Sequence, residues 1–86
     1  MPVTLEELFT RYREPGDTAA LAEIFDRTAA PLLRLAVHLV GDIALAEDLL
    51  QSTFVAAIEN AATFDAERSL EPWLAGILTN RARELR

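Results

Sequence analysis

Apolar residues recur every three or four positions along most of the chain, a spacing that places them on one face of an α-helix. Residues that end helices and turn the chain separate four such stretches: Pro15 with Gly16, then Gly41, and finally a mixed loop over residues 62–68. We find no stretch typical of a strand. We therefore predict an all-α fold, a compact bundle of four helices.

Short polar residues precede each helix and are expected to accept hydrogen bonds from the free amides of its first turn. The predicted caps are Thr4 (in a capping box with Glu7), Asp17 or Thr18, Asp42, and Ser69. Pro31 lies inside the second helix and cannot donate to the carbonyl of Arg27, so we expect a kink there and no break. Pro72 falls in the first turn of the last helix, where its missing amide costs little. The third helix is predicted to run to about Ala61.

The third helix has two faces of different character. At 100° per residue, one face holds the residues expected in the core: Ile43, Ala46, Leu50, Thr53, Phe54, Ala57 and Ala61. The opposite face, here called the acidic stripe, consists of Asp48, Gln51, Ser52, Val55 and Glu59. No Lys or Arg follows its two acids at the fourth position, so the stripe lacks the usual pairing within a helix. It is either an ordinary solvated face or a docking face for a partner that supplies cations.

The last helix is expected to place Trp73, Ile77 and Leu85 on its apolar side. We interpret Trp73 as a core residue that closes this helix against the bundle, in preference to a stacking platform. Gly76 weakens a helix interior by roughly 1 kcal/mol, and close approach of a neighbouring helix is the interpretation we favour for it. The helix reaches Arg86 without a stop signal, so the 86 residues are expected to be a fragment of a longer protein.

Charge is distributed unevenly along this single-domain length of 86 residues. The net charge is −6; residues 1–67 contribute −8 (four Arg, twelve Asp or Glu) and residues 68–86 contribute +2 (four Arg, two Glu). An acidic surface repels a phosphate backbone at long range. Any contact with nucleic acid is therefore expected in the last quarter of the chain.

Several classes of protein are disfavoured by composition. The chain has no cysteine, and His38 is its only histidine, so we expect no disulfide and no metal site. No apolar run approaches the roughly 20 residues that span a bilayer, and the acidic, amphipathic start does not resemble a signal peptide. We find no nucleophile–base pair and no phosphate-binding loop. We expect a cytoplasmic protein that is not an enzyme, has no cofactor, binds no membrane and is a monomer when isolated.

Residues 41–86 contain an ordered set of motifs: Gly-Asp, then Ala-Glu-Asp-Leu followed by Gln and Phe, a Phe before a short loop, and a Ser, Trp-Leu, Ile and Asn series. The matching residues are Gly41, Asp42, Ala46, Glu47, Asp48, Leu49, Gln51, Phe54, Phe64, Ser69, Trp73, Leu74, Ile77 and Asn80. This set resembles region two of the extracytoplasmic-function (ECF) sigma factors, members of the sigma-70 family of bacterial RNA polymerase. Leu70 stands where that family has a second Phe. Residues 16–42 also resemble the family's N-terminal helices, including Pro31.

The resemblance implies a role for each face. The acidic stripe would dock on the clamp helices of the beta-prime subunit of RNA polymerase core. The loop and last helix would recognise the promoter minus-ten element, mainly its single-stranded non-template strand, and help to melt it. The implied DNA contacts are Asn80 to a base or the backbone, Arg81, Arg83 and Arg86 to phosphates, and Arg68 and Ser69 at the loop edge. From the residues alone, the Arg cluster could equally be a solvated helix end that favours the macrodipole.

The DNA face departs from the family. Relatives often carry basic or aromatic residues where this chain has Glu71, Ala75, Gly76 and Thr79. The runner-up hypothesis is therefore a sigma-like adaptor that binds only protein, and an anti-sigma factor is a further candidate partner. A small helical interaction domain with an accidental motif match is the third hypothesis. The leading hypothesis treats residues 1–86 as a region-two domain without the C-terminal helix-turn-helix domain of the family.

Overall fold

A computed structural model describes residues 2–85, which form four α-helices and one short 3-10 turn. The helices are α1 (Leu5–Arg13), α2 (Thr18–Val40), α3 (Ile43–Glu59) and α4 (Leu70–Glu84), and the 3-10 turn covers Ala61–Thr63. The described residues include no strand. The predicted all-α bundle of four helices is confirmed.

The first three helices begin at the residues that the sequence predicts. The Thr4 hydroxyl accepts a hydrogen bond from the amide of Glu7, and Asp17 and Asp42 accept from amides of the first turns of α2 and α3. Gly41 ends α2 with a φ of 71°, in the left-handed region that favours glycine. Local capping chemistry therefore fixes these helix boundaries.

One helix end and one cap differ from the prediction, while α4 begins directly after Ser69 as expected. α3 ends at Glu59, before the predicted Ala61; the backbone and side-chain amides of Asn60 both donate to the carbonyl of Ala56, at 3.0 and 2.8 Å, and a 3-10 turn follows. Ser69 precedes α4, but its hydroxyl makes no capping bond. A carboxylate oxygen of Glu6 on α1 accepts from the amide of Leu70, the first residue of α4, at 2.7 Å.

α2 runs unbroken from Thr18 to Val40, with Pro31 in its interior. The described residues thus agree with the expectation that Pro31 does not break the helix, and the kink itself stays a prediction. Thr28 of α2 is fully buried, and its hydroxyl donates to the carbonyl of Ile24. Because this bond satisfies the hydroxyl, the residue can lie in the core without an unpaired polar group.

α3 lies between α2 and α4, and this position widens its buried face. Its buried residues are Ala46, Leu49, Leu50, Thr53, Phe54, Ala56 and Ala57. Leu49 and Ala56 were not predicted in the core; they are buried because helices pack on both sides of α3. Ile43 was predicted in the core and is 57% exposed, since it is the first residue of α3 at the end of the bundle. Ala61 lies in the 3-10 turn and is half-buried.

The apolar side of α4 also differs from the prediction. The buried residues are Leu70, Leu74, Leu78 and Ala82. Trp73 and Ile77 are half-buried and pack against this core, whereas Leu85 is 58% exposed beyond the last turn of the helix. Residues four apart fill the surface that α4 shares with α2 and α3, so the core face is centred on the leucines.

The interpretation of Gly76 as a site of close helix approach is wrong. A Cβ atom built at this glycine meets no other atom within 4 Å, and the residue is exposed. The outer side of α4 is open at this point.

Among residues 2–85, no helix is both long and apolar enough to cross a membrane.

Candidate functional site

The acidic stripe lies on the open side of α3. Asp48, Gln51 and Glu59 are exposed, Val55 is 54% exposed and Ser52 is half-buried. The structure thus brings all five predicted residues onto one face. Among the described residues, the sole ion pair joins two other side chains on α2. The carboxylates of the stripe therefore form no ion pair with neighbours in this part of the chain.

Large apolar side chains border the acidic stripe on both sides. Toward α2, Ile58 is 42% exposed and Phe25 is 38% exposed, with the Phe25 ring edge-on to Phe54 at 4.9 Å between centroids. Toward α4, Leu45 and Leu85 are also exposed. Exposed apolar residues among unpaired charges are typical of a protein interface. The helical periodicity of α3 could have revealed Leu45 and Ile58, because both fall within about 80° of Asp48.

A cleft separates the acidic stripe from α4. Asp48 and Ser52 line one wall, and Arg81, Glu84 and Leu85 line the other. Arg81 is half-buried in this position. The structure therefore places this predicted phosphate contact beside the acidic stripe.

The outer face of α4 carries Asn80 and Arg83, both exposed. Their positions differ by about 60° around the helix, whereas Arg81 is about 100° from Asn80 and 160° from Arg83. The structure thus brings Asn80 and Arg83 together and separates Arg81 from them. Arg86, another predicted phosphate contact, lies outside the described residues.

A shallow groove lies at the start of α4. It is lined by Glu67, Arg68, Ser69, Pro72 and Trp73. The Trp73 ring packs against Phe64 and Phe9, at 5.0 and 5.7 Å between centroids, so it closes α4 against the bundle as expected. Its half-buried ring also forms part of the groove wall.

The groove and the outer face of α4 lie on the same side of the helix. Trp73 and Asn80 are seven residues apart, which corresponds to about 20° around the helix and roughly 10 Å along it. We call this surface the α4 strip; its polar residues are Arg68, Ser69, Asn80 and Arg83. Glu67 and Glu84 border it. The strip combines donors and acceptors for hydrogen bonds with little net positive charge.

No group of three or more metal-ligating side chains occurs within residues 2–85. The chemistry of both surfaces is that of recognition by charge, hydrogen bonds and apolar contact. The acidic stripe suits a basic partner, and the α4 strip offers groups that can contact unpaired bases and phosphates.

Comparison with known proteins identifies the family. Residues 24–86 match the family model for sigma-70 region 2. The chain is 35% identical over 65 residues to "ECF RNA polymerase sigma factor SigW" of Bacillus subtilis (strain 168), an alignment that covers 76% of this chain and 35% of that protein. It is 35% identical over 74 residues to "RNA polymerase sigma factor CarQ" of Myxococcus xanthus, covering 86% and 42% of the two chains.

A third relative is "RNA polymerase sigma factor NccH" of Alcaligenes xylosoxydans xylosoxydans, 29% identical over 83 residues, with 96% of this chain and 45% of the relative covered. No solved structure gives a significant match. The chain spans less than half the length of these curated relatives. The family match and the relatives together show that the chain belongs to the sigma-70 region 2 family, in the branch of the ECF sigma factors.

Proposed function

We propose that this chain is the part of a bacterial transcription initiation factor that docks on RNA polymerase and recognises the promoter minus-ten element. The observation that carries the proposal is the family match over residues 24–86, which includes both the acidic stripe and the α4 strip. The relatives are named as RNA polymerase sigma factors. A factor that acts with RNA polymerase works in the cytoplasm.

The acidic stripe is the proposed contact with the clamp helices of the beta-prime subunit. Its carboxylates form no ion pair within residues 2–85, although Arg81 lines the cleft beside Asp48, so they are available to a basic helical surface. Complementary charge speeds and orients docking, and desolvated apolar contact adds affinity. Val55, which is 54% exposed between the acids, is the proposed apolar centre of this contact.

The α4 strip is the proposed contact with the non-template strand. Asn80 has both a donor and an acceptor and can therefore distinguish base edges. Arg68 and Ser69 line the groove beside Trp73, where an unstacked base could be held. Arg83 on the outer face and Arg86 are the proposed phosphate contacts. Arg81 would reach a phosphate only by leaving the cleft beside Asp48.

The second candidate is a sigma-like adaptor that binds only protein, such as an anti-sigma factor. The charge of the α4 strip favours it, because Glu67 and Glu84 oppose Arg68 and Arg83 along the same surface. The two candidates share the acidic stripe and differ in whether the α4 strip contacts DNA. A test must therefore address the strip while the stripe is engaged.

The decisive experiment titrates the polymerase-bound chain with labelled single-stranded non-template oligonucleotides of varied sequence. We expect Asn80→Ala to change which base is preferred and Arg83→Ala to weaken binding to all sequences, because base contacts specify and phosphate contacts position. Arg11→Ala is the matched control for loss of an arginine, since Arg11 is exposed on α1, outside the strip. If the wild-type complex shows no base preference and neither substitution alters binding, promoter recognition fails and the adaptor hypothesis replaces it.

A further inference from the structure

One face of α1 is directed at the loop that joins α3 to α4. Glu6, Phe9 and Arg13 follow at intervals of three and four, which puts them within about 60° of one another around the helix. All three contact the segment from Ala61 to Trp73. The family model begins at residue 24, so α1 lies outside the part of the chain that it matches.

Arg13 fixes the start of this loop. One terminal nitrogen, Nη1, donates to the carbonyl of Ala61 at 3.1 Å and to the carbonyl of Phe64 at 2.6 Å. Its guanidinium carbon lies 5.6 Å from the ring centroid of Phe9 and 5.9 Å from that of Phe64. Hydrogen bonds from a charged donor and contact with aromatic faces both favour this arrangement.

Glu6 fixes the end of the loop. Its Oε2 atom accepts from the amide of Leu70 at 2.7 Å, and the side chain of Leu70 is fully buried. A carboxylate at the start of a helix satisfies a free amide and also interacts favourably with the helix dipole. The hydroxyl of Ser69 makes no capping bond to α4, and Pro72, the third residue of the helix, has no amide that could donate to it.

Phe9 holds the middle of the contact. Its ring is edge-on to Phe64 at 5.4 Å between centroids and lies 5.7 Å from the ring of Trp73. Phe9 and Phe64 are both buried. The same face of α1 therefore supports the residue before the exposed loop and the wall of the groove at the start of α4.

Residues 65–69 are all exposed between these two anchors. Within the segment, a carboxylate oxygen of Asp65 accepts from the amide of Glu67, and the carbonyl of Asp65 accepts from the amide of Arg68. These bonds shape a local turn but do not attach it to the bundle. The position of the turn relative to α4 thus depends on Arg13 at one end and Glu6 at the other.

We propose that Glu6, Phe9 and Arg13 form a positioning face for promoter recognition. The face holds the loop so that the exposed Ser69 hydroxyl and Arg68 guanidinium are presented to the non-template strand. Glu6 and Arg13 are positioning residues that act through Leu70 and Phe64 without touching DNA. The proposal rests on the proposed function of the α4 strip.

The test compares Glu6→Ala with Glu6→Gln in the polymerase-bound chain. Glu6→Ala removes the acceptor for the Leu70 amide, whereas Gln retains an acceptor oxygen. We expect Glu6→Ala to speed hydrogen exchange at Leu70 on the order of fivefold, the effect of a lost helix cap. We expect its preference for one base over another in single-stranded oligonucleotides to fall by a similar factor, with affinity for polymerase changed by no more than about twofold.

Neighbouring residues supply matched controls. Glu7→Ala makes the same change one position along α1, at an exposed side chain that does not contact α4. Arg13→Ala should reduce base preference as Glu6→Ala does, and exposed Arg11→Ala is its control. Glu6→Gln should keep most of the preference. If Arg13→Ala does not fold, the Glu6 pair still tests the proposal.

The outcomes separate this proposal from the function on which it rests. Faster exchange at Leu70 with unchanged base preference would overturn the positioning role and leave promoter recognition intact. Unchanged exchange at Leu70 in Glu6→Ala would also overturn it, since the cap would not depend on Glu6. A wild-type complex without base preference would instead refute the proposed function, and the positioning role would fall with it.

Discussion

At the scale of single residues, the α4 strip contains positions that serve recognition better than folding. Gly76 lies in the interior of a helix, where it lowers stability, and no neighbouring atom requires its small size. Trp73 is only half-buried, although its ring packs against those of Phe9 and Phe64. Both residues face the surface proposed to bind DNA. Small size at Gly76 would let a nucleic-acid backbone approach α4 closely.

Replacing Gly76 with alanine should therefore stabilise the chain. We expect the free energy of unfolding to rise by about 1 kcal/mol, because alanine is the better helix former and a Cβ atom fits without contact. Denaturant unfolding followed by circular dichroism measures the change. Gly41→Ala is the control and should be destabilising, since Gly41 has a φ of 71°. A destabilised Gly76→Ala protein would show that α4 is not open at this position.

At the scale of secondary-structure elements, α3 serves two purposes with opposite faces. Its inner face packs against both α2 and α4, and its outer face carries the acidic stripe, which forms no ion pair among the described residues. The inner face is wide because two helices cover it, so substitutions on the stripe can alter charge without disturbing the core. This separation makes docking testable apart from folding.

The double substitution Asp48→Arg with Gln51→Ala should abolish binding to a beta-prime clamp-helix fragment and leave helicity unchanged. It replaces an attractive charge with a repulsive one and removes a neighbouring amide. Binding can be followed by fluorescence anisotropy and helicity by circular dichroism. The control is Glu7→Arg, which reverses an exposed charge in the first turn of α1, at the opposite end of that helix from Arg13, which lines a pocket with Glu59. A folded double mutant that binds as wild type would remove the stripe from the polymerase interface.

At the scale of the whole molecule, a feature could be predicted from the sequence when the residues that determine it are close together along the chain. The caps at Thr4, Asp17 and Asp42 involve residues two or three apart, so the sequence predicts them correctly. The hydrogen bond from the Leu70 amide to Glu6 joins residues 64 positions apart and depends on how α1 packs against α4, so no local sequence pattern predicts it.

Helix faces are predictable in part, less fully than the local caps but better than the long-range bond. The acidic stripe follows from the helical period alone, and so does the separation of Arg81 from Arg83. The burial of Leu49 does not, because it requires knowing that α4 packs on that side of α3. Sequence reasoning therefore finds which residues share a face, whereas the packing of the four helices decides which faces are covered.

The distribution of charge over the whole chain predicts how DNA binding responds to salt. With a net charge of −6, the free chain should bind double-stranded DNA poorly, and single-stranded DNA should bind mainly when polymerase holds the chain in place. Arg83 and Arg86 are the proposed phosphate contacts of that complex, and Arg68 at the groove can supply a third. Three contacts give a slope of log affinity against log salt of about −2, at roughly −0.7 per phosphate.

Arg83→Ala should make that slope shallower, at about −1.4, because one phosphate contact is lost. Arg81→Ala is the matched control and should leave the slope unchanged, since Arg81 lies in the cleft beside Asp48. The measurement is a titration of the polymerase-bound chain with one labelled oligonucleotide at several salt concentrations. If Arg81→Ala makes the slope as shallow as Arg83→Ala does, Arg81 must leave the cleft when DNA binds. The phosphate contacts would then include a residue outside the α4 strip and Arg86. A shallow slope altered only at Arg83 would instead mean that this acidic domain binds DNA through few charges, with polymerase docking supplying the remaining affinity.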